Sequence, residues 1–195
     1  PQPMVFMELY PVDNDQFQDL KDAMAKLKLN DSSLQDQPTH SQALGNGLRV
    51  GFLGIFHAEI IRERLQREFN LDLIATAPSV KYQVENKSDE TIIVESPADL
   101  PNPSQIQQIK EPITKTTIFA PVNYLPKIVD FVRRHRGTLI NSINSGNRSQ
   151  LKYEIPLSEL ITGFHDKLKS LTSGFASLEY KIVGYEPVEA AKVDI

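Results

Sequence analysis

The sequence predicts an α+β fold in which the order βαββαβ occurs twice in tandem. Three observations predict it. Strand-like runs and amphipathic helical stretches follow one another in the same order in each half. Pro11-Val12 and Pro121-Val122 close the first strand of each half, 110 residues apart. Between the halves, Ser96 to Pro103 holds three prolines and reads as a linker.

The elements of the first half follow in order. Met4–Tyr10 is a buried strand closed by Pro11, and Asp13 with Gln16 forms a capping-box start for the next helix. Phe17, Leu20, Met24 and Leu27 recur at spacings of three and four, which makes one helical face apolar. Asn30-Asp31 ends that helix, Ser32–Leu34 starts a short strand, and a turn at Gly45–Gly47 leads into the strand Leu48–Leu53. From Phe56 to Phe69, Ile60, Ile61, Leu65 and Phe69 form a second apolar face, with Arg62, Arg64 and Arg67 projecting away. Leu71–Thr76 returns as a strand, and Val80–Val84 with Thr91–Val94 reads as a hairpin extending the first sheet.

The second half repeats the pattern. A short helix from Ser104 to Ile109 bridges into a Thr/Ile-rich strand running from Glu111 to Ala120. A helix with Leu125, Ile128, Val129 and Val132 inward comes next. Gly137–Ile143 and Leu151–Ile155 then pair across a turn at Asn144–Asn147. Leu157, Leu160, Ile161, Phe164, Leu168 and Leu171 mark one amphipathic helix, and Ser177–Val183 closes the unit as a strand. This is the split βαβ order of ferredoxin-like sandwiches, in which two helices cover one face of a four-stranded antiparallel sheet. The predicted organisation is a ferredoxin-like domain over 1–96, a linker with a short helix over 97–110, and a second ferredoxin-like domain over 111–195. The fold hosts many activities and does not by itself name one.

Composition narrows the classes. Hydrophobic residues make up 40% and charged residues 24% of 195, ordinary globular usage. No apolar run approaches the roughly 20 residues of a membrane span. The absence of cysteine removes disulfides and thiolate chemistry and fits a reducing compartment. No signal peptide opens the chain, and the alternating Lys192–Ile195 reads as the start of a strand, so both ends are read as cut points. The net charge is −4, but residues 1–110 hold 10 basic and 16 acidic groups whereas residues 111–195 hold 11 and 9. A polyanion would therefore meet the second half.

Motifs for chemistry are sparse. No G-x-x-x-x-G-K-[ST] loop or G-x-S-x-G elbow occurs, so neither nucleotide hydrolysis nor a serine nucleophile is expected within the chain. His57 and Glu59 open the second helix after Gly51–Gly54. They are two positions apart, which an isolated helix does not bring onto one face, so a capping or packing histidine competes with any acid–base role. His40, His135 and His165 are scattered, and no metal site is expected. Arg133, Arg134 and Arg136 close a helix where cations offset its dipole. With Arg148, Lys167 and Lys169 they are also candidates for a phosphate-contacting surface.

Several longer words carry a resemblance. They are Met4–Phe6, Leu9–Asp13, Leu27–Ser33, Ala43–Gly54 with His57 and Glu59–Ile61, Thr76–Val80, Glu111–Ile118, Arg136-Gly137, Tyr153–Leu157 and Leu168–Ser177. Together they resemble LepA, the elongation-factor-4 family of translational GTPases, over nearly the whole chain. Ala58 and Phe131–His135 depart from the family's usual residues and mark a divergent member. The resemblance implies two domains corresponding to elongation factor G domains III and V. The domain that hydrolyses GTP with Mg2+ would lie outside the chain, which itself holds no cofactor. It implies a factor that remodels stalled or mistranslocated ribosomes, with rRNA, ribosomal proteins and the factor's other domains as partners. Such a factor is a monomer in the cytoplasm, peripheral to the bacterial inner membrane, or in an organelle matrix. Arg49, Gly51, Gly54, His57 and Glu59 become candidates for a relay of nucleotide state between domains. The reading from a different class is a small-molecule regulatory module built from paired ferredoxin-like domains.

Overall fold

The computed structural model describes residues 2–96 and 99–188, so Lys192–Ile195 lies outside the described residues. The chain divides into two compact units, residues 1–81 and 82–195.

In the first unit, β1 (Val5–Pro11), β2 (Gln35–Ser41), β3 (Gly45–Phe52) and β4 (Leu73–Ala75) form an antiparallel sheet in the order β2-β3-β1-β4, and β5 (Ser79–Val80) also pairs with β1. The helices α1 (Phe17–Asn30) and α2 (Ile55–Phe69) supply the rest of the core. Met7 and Leu9 of β1, with Leu48, Val50 and Phe52 of β3, meet Leu20, Met24 and Leu27 of α1 and Ala58, Ile61 and Leu65 of α2. The period of two on the strands and of three to four on the helices thus converges on one layer. Asp13 accepts a hydrogen bond from the Asp15 amide, but a short 3-10 turn, Asn14–Gln16, intervenes before α1. The buried face of α2 uses Ala58 in place of the expected Ile60, which is 56% exposed. Ile60 neighbours Ile61 around the helix, and the sheet covers only one of them.

In the second unit, β8 (Ile106–Pro121), α3 (Leu125–Arg134), β9 (Thr138–Ser145), β10 (Arg148–Pro156), α4 (Leu157–Leu160), α5 (Phe164–Leu171) and β11 (Ser177–Val188) give the order β11-β8-β10-β9. Ile118, Ala120, Leu151, Tyr153 and Ile155 pack against Ile128, Val132, Phe164 and Leu168. The expected single helix over 157–171 is two, broken at Gly163 with φ +77. Val129, expected inward, is 44% exposed.

The hairpin β6 (Tyr82–Asn86) and β7 (Thr91–Val94) corrects the predicted organisation. It joins the second sheet, not the first: Gln83, Val84 and Glu85 pair with Lys110, Ile109 and Gln108. The expected helix over 104–109 is a 3-10 turn, Pro103–Gln105, and residues 106–110 already belong to β8. The cause is strand length. β8 runs 16 residues, β10 covers its edge only from Ile113 to Pro121, and β6 satisfies the amides that β10 leaves on that edge. The division therefore falls at Lys81/Tyr82 instead of at Ser96.

Candidate nucleic-acid interface

Strand register sorts the six candidate cations, Arg133, Arg134, Arg136, Arg148, Lys167 and Lys169, onto different ends. Arg148 pairs with Pro121 and Ser177 with Phe119, so three connections share one end: β8 to α3, β9 to β10, and α5 to β11. Arg133, Arg134 and Arg136 lie at the C-terminal end of α3, beside the start of β9. The nine-residue β10 separates the two ends by roughly 27 Å. The expected single basic face is therefore split.

The cations of the second group are engaged locally. Arg133 and Arg134 both reach Asp130, at 2.6 and 2.5 Å, while staying about three-quarters exposed. Arg136 sits in the left-handed region at φ +56. The amides of Arg136 and Gly137 return to Arg133 and Val132, which ends the helix as a left-handed cap does. A Cβ on Gly137 would come 2.2 Å from Val132 Cγ1, which explains the glycine. From this position the Arg136 guanidinium donates to both oxygens of Glu111, at 2.5 and 3.2 Å, to Glu159 at 2.9 Å and to Ser158 at 3.1 Å. Glu111 is 4% exposed. Its carboxylate foremost, then that of Glu159, holds the guanidinium above its ordinary pKa. Burial and then the Glu111 charge push the Tyr82 phenol upward. Arg136 is thus an internal clamp joining β8, α3 and α4.

The opposite end has another character. Residues 119–127, 144–150 and 169–178 form its three connections and carry Lys127, Arg148 and Lys169 with no acidic residue. Lys167 lies on the exposed side of α5 next to Asp166. Gly146 adopts φ +61 at the first of two turn positions between Ser145 and Arg148, where a tight hairpin favours glycine. The Val122 amide donates to Asn147 O at 3.0 Å and ties this turn to the start of α3. Here the ring of Phe175, 62% exposed, stacks on Tyr124 with centroids 6.3 Å apart at 27°. Sequence reasoning named Arg148, Lys167 and Lys169 but missed Lys127, Phe175 and Tyr124. The signal was the lack of acidic residues in three connections that only the register brings together.

In the first unit, the relay candidates are held by local packing. Phe6 pairs with Gly51 and Glu8 with Arg49 across β1 and β3. A Cβ on Gly51 would lie 2.9 Å from the Phe6 ring, and one on Gly47 2.5 Å from the Tyr10 ring. Each aromatic ring thus lies over a glycine of the neighbouring strand, and the Arg49 guanidinium sits 5.5 Å from the Phe6 centroid. His57 accepts at Nδ1 from the Leu53 amide, at 3.1 Å, so its Nε2–H donates to Asp31, at 2.8 Å. The ring meets Phe52 edge-on. The Ser33 hydroxyl first, then the Ser33 amide and His57, holds the Asp31 carboxyl below its usual range. His57 therefore braces the turn before α2 against the end of α1. Gly54 is the N-cap of α2 in an extended conformation. Glu59 faces a groove with Arg62, Glu63 and Asp72 instead. His57 and Glu59 are not brought together. Among the described residues no group of three or more His, Cys, Asp or Glu could hold a metal ion, and no helix is long and apolar enough to cross a membrane.

A family model described as the elongation factor G C-terminus matches residues 108–195, which lie within the second unit. The chain is 48% identical over 196 residues to elongation factor 4 of Thermus thermophilus, covering 99% of this chain and 32% of that protein. It is 47% identical over 194 residues to elongation factor 4 of Bacillus cereus, with the same coverage of each. The chain belongs to the elongation factor 4 family. It spans about a third of the length of the curated relatives it matches. A crystal structure of a Thermus thermophilus protein shares the fold, with a TM-score of 0.57, 16% identity, and coverage of 96% of this chain and 41% of that one. Elongation factor 4 membership agrees with the two antiparallel sheets, which repeat the order 4-1-3-2.

Proposed function

We propose that this chain is the ribosome-binding part of a translational GTPase that remodels stalled or mistranslocated ribosomes. The GTP and Mg2+ site would lie in another part of the full-length factor. The observation that carries the reading is the likeness to elongation factor 4 along 99% of the chain. The two units correspond in this reading to elongation factor G domains III and V. The protein would act as a monomer in the cytoplasm, with ribosomal RNA, ribosomal proteins and the factor's other domains as partners.

Charge placement supports a choice among the candidate contacts. Lys127, Arg148 and Lys169 share an end that carries no acidic residue in its three connections, with Lys167 beside it. Arg133 and Arg134 already share Asp130, and Arg136 serves Glu111 and Glu159. Phosphate contacts release counterions, so binding through the acid-free end should weaken with salt. Co-sedimentation of the chain with ribosomes at two salt concentrations tests this. Arg148→Ala with Lys169→Ala should lower binding and flatten the salt dependence, while Arg133→Ala with Arg134→Ala should change it little. Equal losses in both pairs would overturn the assignment.

In the first unit, the stretch from Arg49 and Gly51 of β3 through Gly54 to His57 and Glu59 at the start of α2 is the proposed relay of nucleotide state. His57→Ala frees that stretch from Asp31 and should slow ribosome-stimulated GTP turnover in the full-length factor. Unchanged turnover would remove His57 from the relay.

A further inference from the structure

Phe175 is a large apolar side chain left 62% exposed, on a connection built to hold it still. Ser173 at φ +53 and Gly174 at φ +82 place two successive residues in the left-handed region. The Gly174 amide returns to Lys169 O at 2.7 Å and the Phe175 amide to Thr172 O at 3.0 Å. Thr172, fully buried, donates its hydroxyl to Leu168 O at 2.9 Å and accepts from the Ala176 amide at 3.0 Å. Lys169 Nζ donates to Gly174 O at 3.3 Å, which sets a cation at the base of the same turn. The Phe175 ring is aligned with Tyr124 at 27°, centroids 6.3 Å apart, and the residue is still 62% exposed.

We infer that Phe175, backed by Tyr124, is a stacking platform for an unpaired base of RNA. The inference rests on the reading that this end meets ribosomal RNA, and it adds what is recognised there. An apolar docking site for protein would draw little from Lys127, Arg148 and Lys169, whereas these suit the phosphates flanking a base on the ring. A flat aromatic surface at an end whose three connections carry cations and no acidic residue selects single-stranded loops over duplex, whose bases are stacked internally. The platform is preorganised, so ordering it costs little on binding.

The chain contains no tryptophan, so Phe175→Trp installs a single emitter at the platform. The probe is a short single-stranded RNA, with a duplex of the same length as comparison and ribosomes in parallel. Single-stranded RNA should quench the new tryptophan and bind as well as to the unaltered chain, with duplex weaker in both respects. Phe175→Ala should weaken single-strand and ribosome binding roughly tenfold without changing the salt slope, because the phosphate contacts remain. Circular dichroism and thermal melting verify that each variant is folded. Loss of binding in Arg148→Ala with Lys169→Ala but not in Phe175→Ala would overturn stacking while keeping the RNA reading. A Phe175→Ala chain that loses ribosomes but not naked RNA would show that the ring meets a ribosomal protein, which also overturns stacking. If the unaltered chain binds neither RNA nor ribosomes, the RNA reading itself fails and the inference with it.

Discussion

Arg136 answers two demands at one position. Its backbone closes α3 in the left-handed region, and its side chain neutralises Glu111, which the sheet has buried. Arg136→Ala should destabilise the chain by about 2 kcal/mol in urea unfolding, below the cost of breaking a fully buried pair because the Arg136 side chain is 46% exposed. Arg136→Gly removes the same ion pairs but relieves the left-handed penalty, and should be less damaging than alanine by about 1 kcal/mol. Equal effects would mean that the backbone conformation carries no cost. Asp31 sets an acid limb. Its folded carboxyl lies below the usual range, so its contribution is fully present above the unfolded pKa and is lost as pH falls through the folded one. The difference in thermal midpoint between the unaltered chain and Asp31→Asn should therefore narrow on acidification below the ordinary carboxylate range, and a constant gap would contradict the linkage.

Elements in this chain are fitted by close approach as much as by propensity. β3 carries Gly47 and Gly51 where Tyr10 and Phe6 cross from β1, and the rings cover the backbone that the glycines leave bare. A Cβ at Gly47 would also lie 2.7 Å from Leu9 O, so Gly47→Ala should cost roughly 2 kcal/mol as an overpacked site, measured as a fall in the urea midpoint. Gly163, at φ +77 with nothing within 4 Å of its added Cβ, is a backbone case only, and Gly163→Ala should cost about 1 kcal/mol. The hairpin β6–β7 offers an element-scale check. A chain beginning at Tyr82 should melt higher than one beginning at Pro97, because β6 satisfies the β8 backbone from Ile106 to Lys110. Equal melting temperatures would show that this pairing adds nothing.

For the whole molecule, charge separation within the second unit matters more than its net value. The end bearing Arg133, Arg134 and Arg136 also bears Asp130, Glu111 and Glu159, whereas the Arg148 end has cations alone in its connections. Such a distribution steers a polyanion to one end of a domain that is close to neutral overall. Binding to ribosomes should therefore respond to Arg148 and Lys169 and fall as salt rises, as co-sedimentation would read.

By itself the sequence determined the twofold βαββαβ order, the apolar face of α1, and the family, because periodicity and long words are local properties of the chain. Arg133, Arg134 and Arg136 were visible as a helix end for the same reason. Only the tertiary structure decided which sheet receives β6 and β7, since strand hairpins look alike whatever edge they join. It also decided that Arg136 is a clamp and that Arg148 stands apart from Arg133, because partners such as Glu111 and Pro121 are distant in sequence and are set by register. Phe175 escaped notice for a related reason: an aromatic residue near a glycine reads as core until the fold leaves its face uncovered.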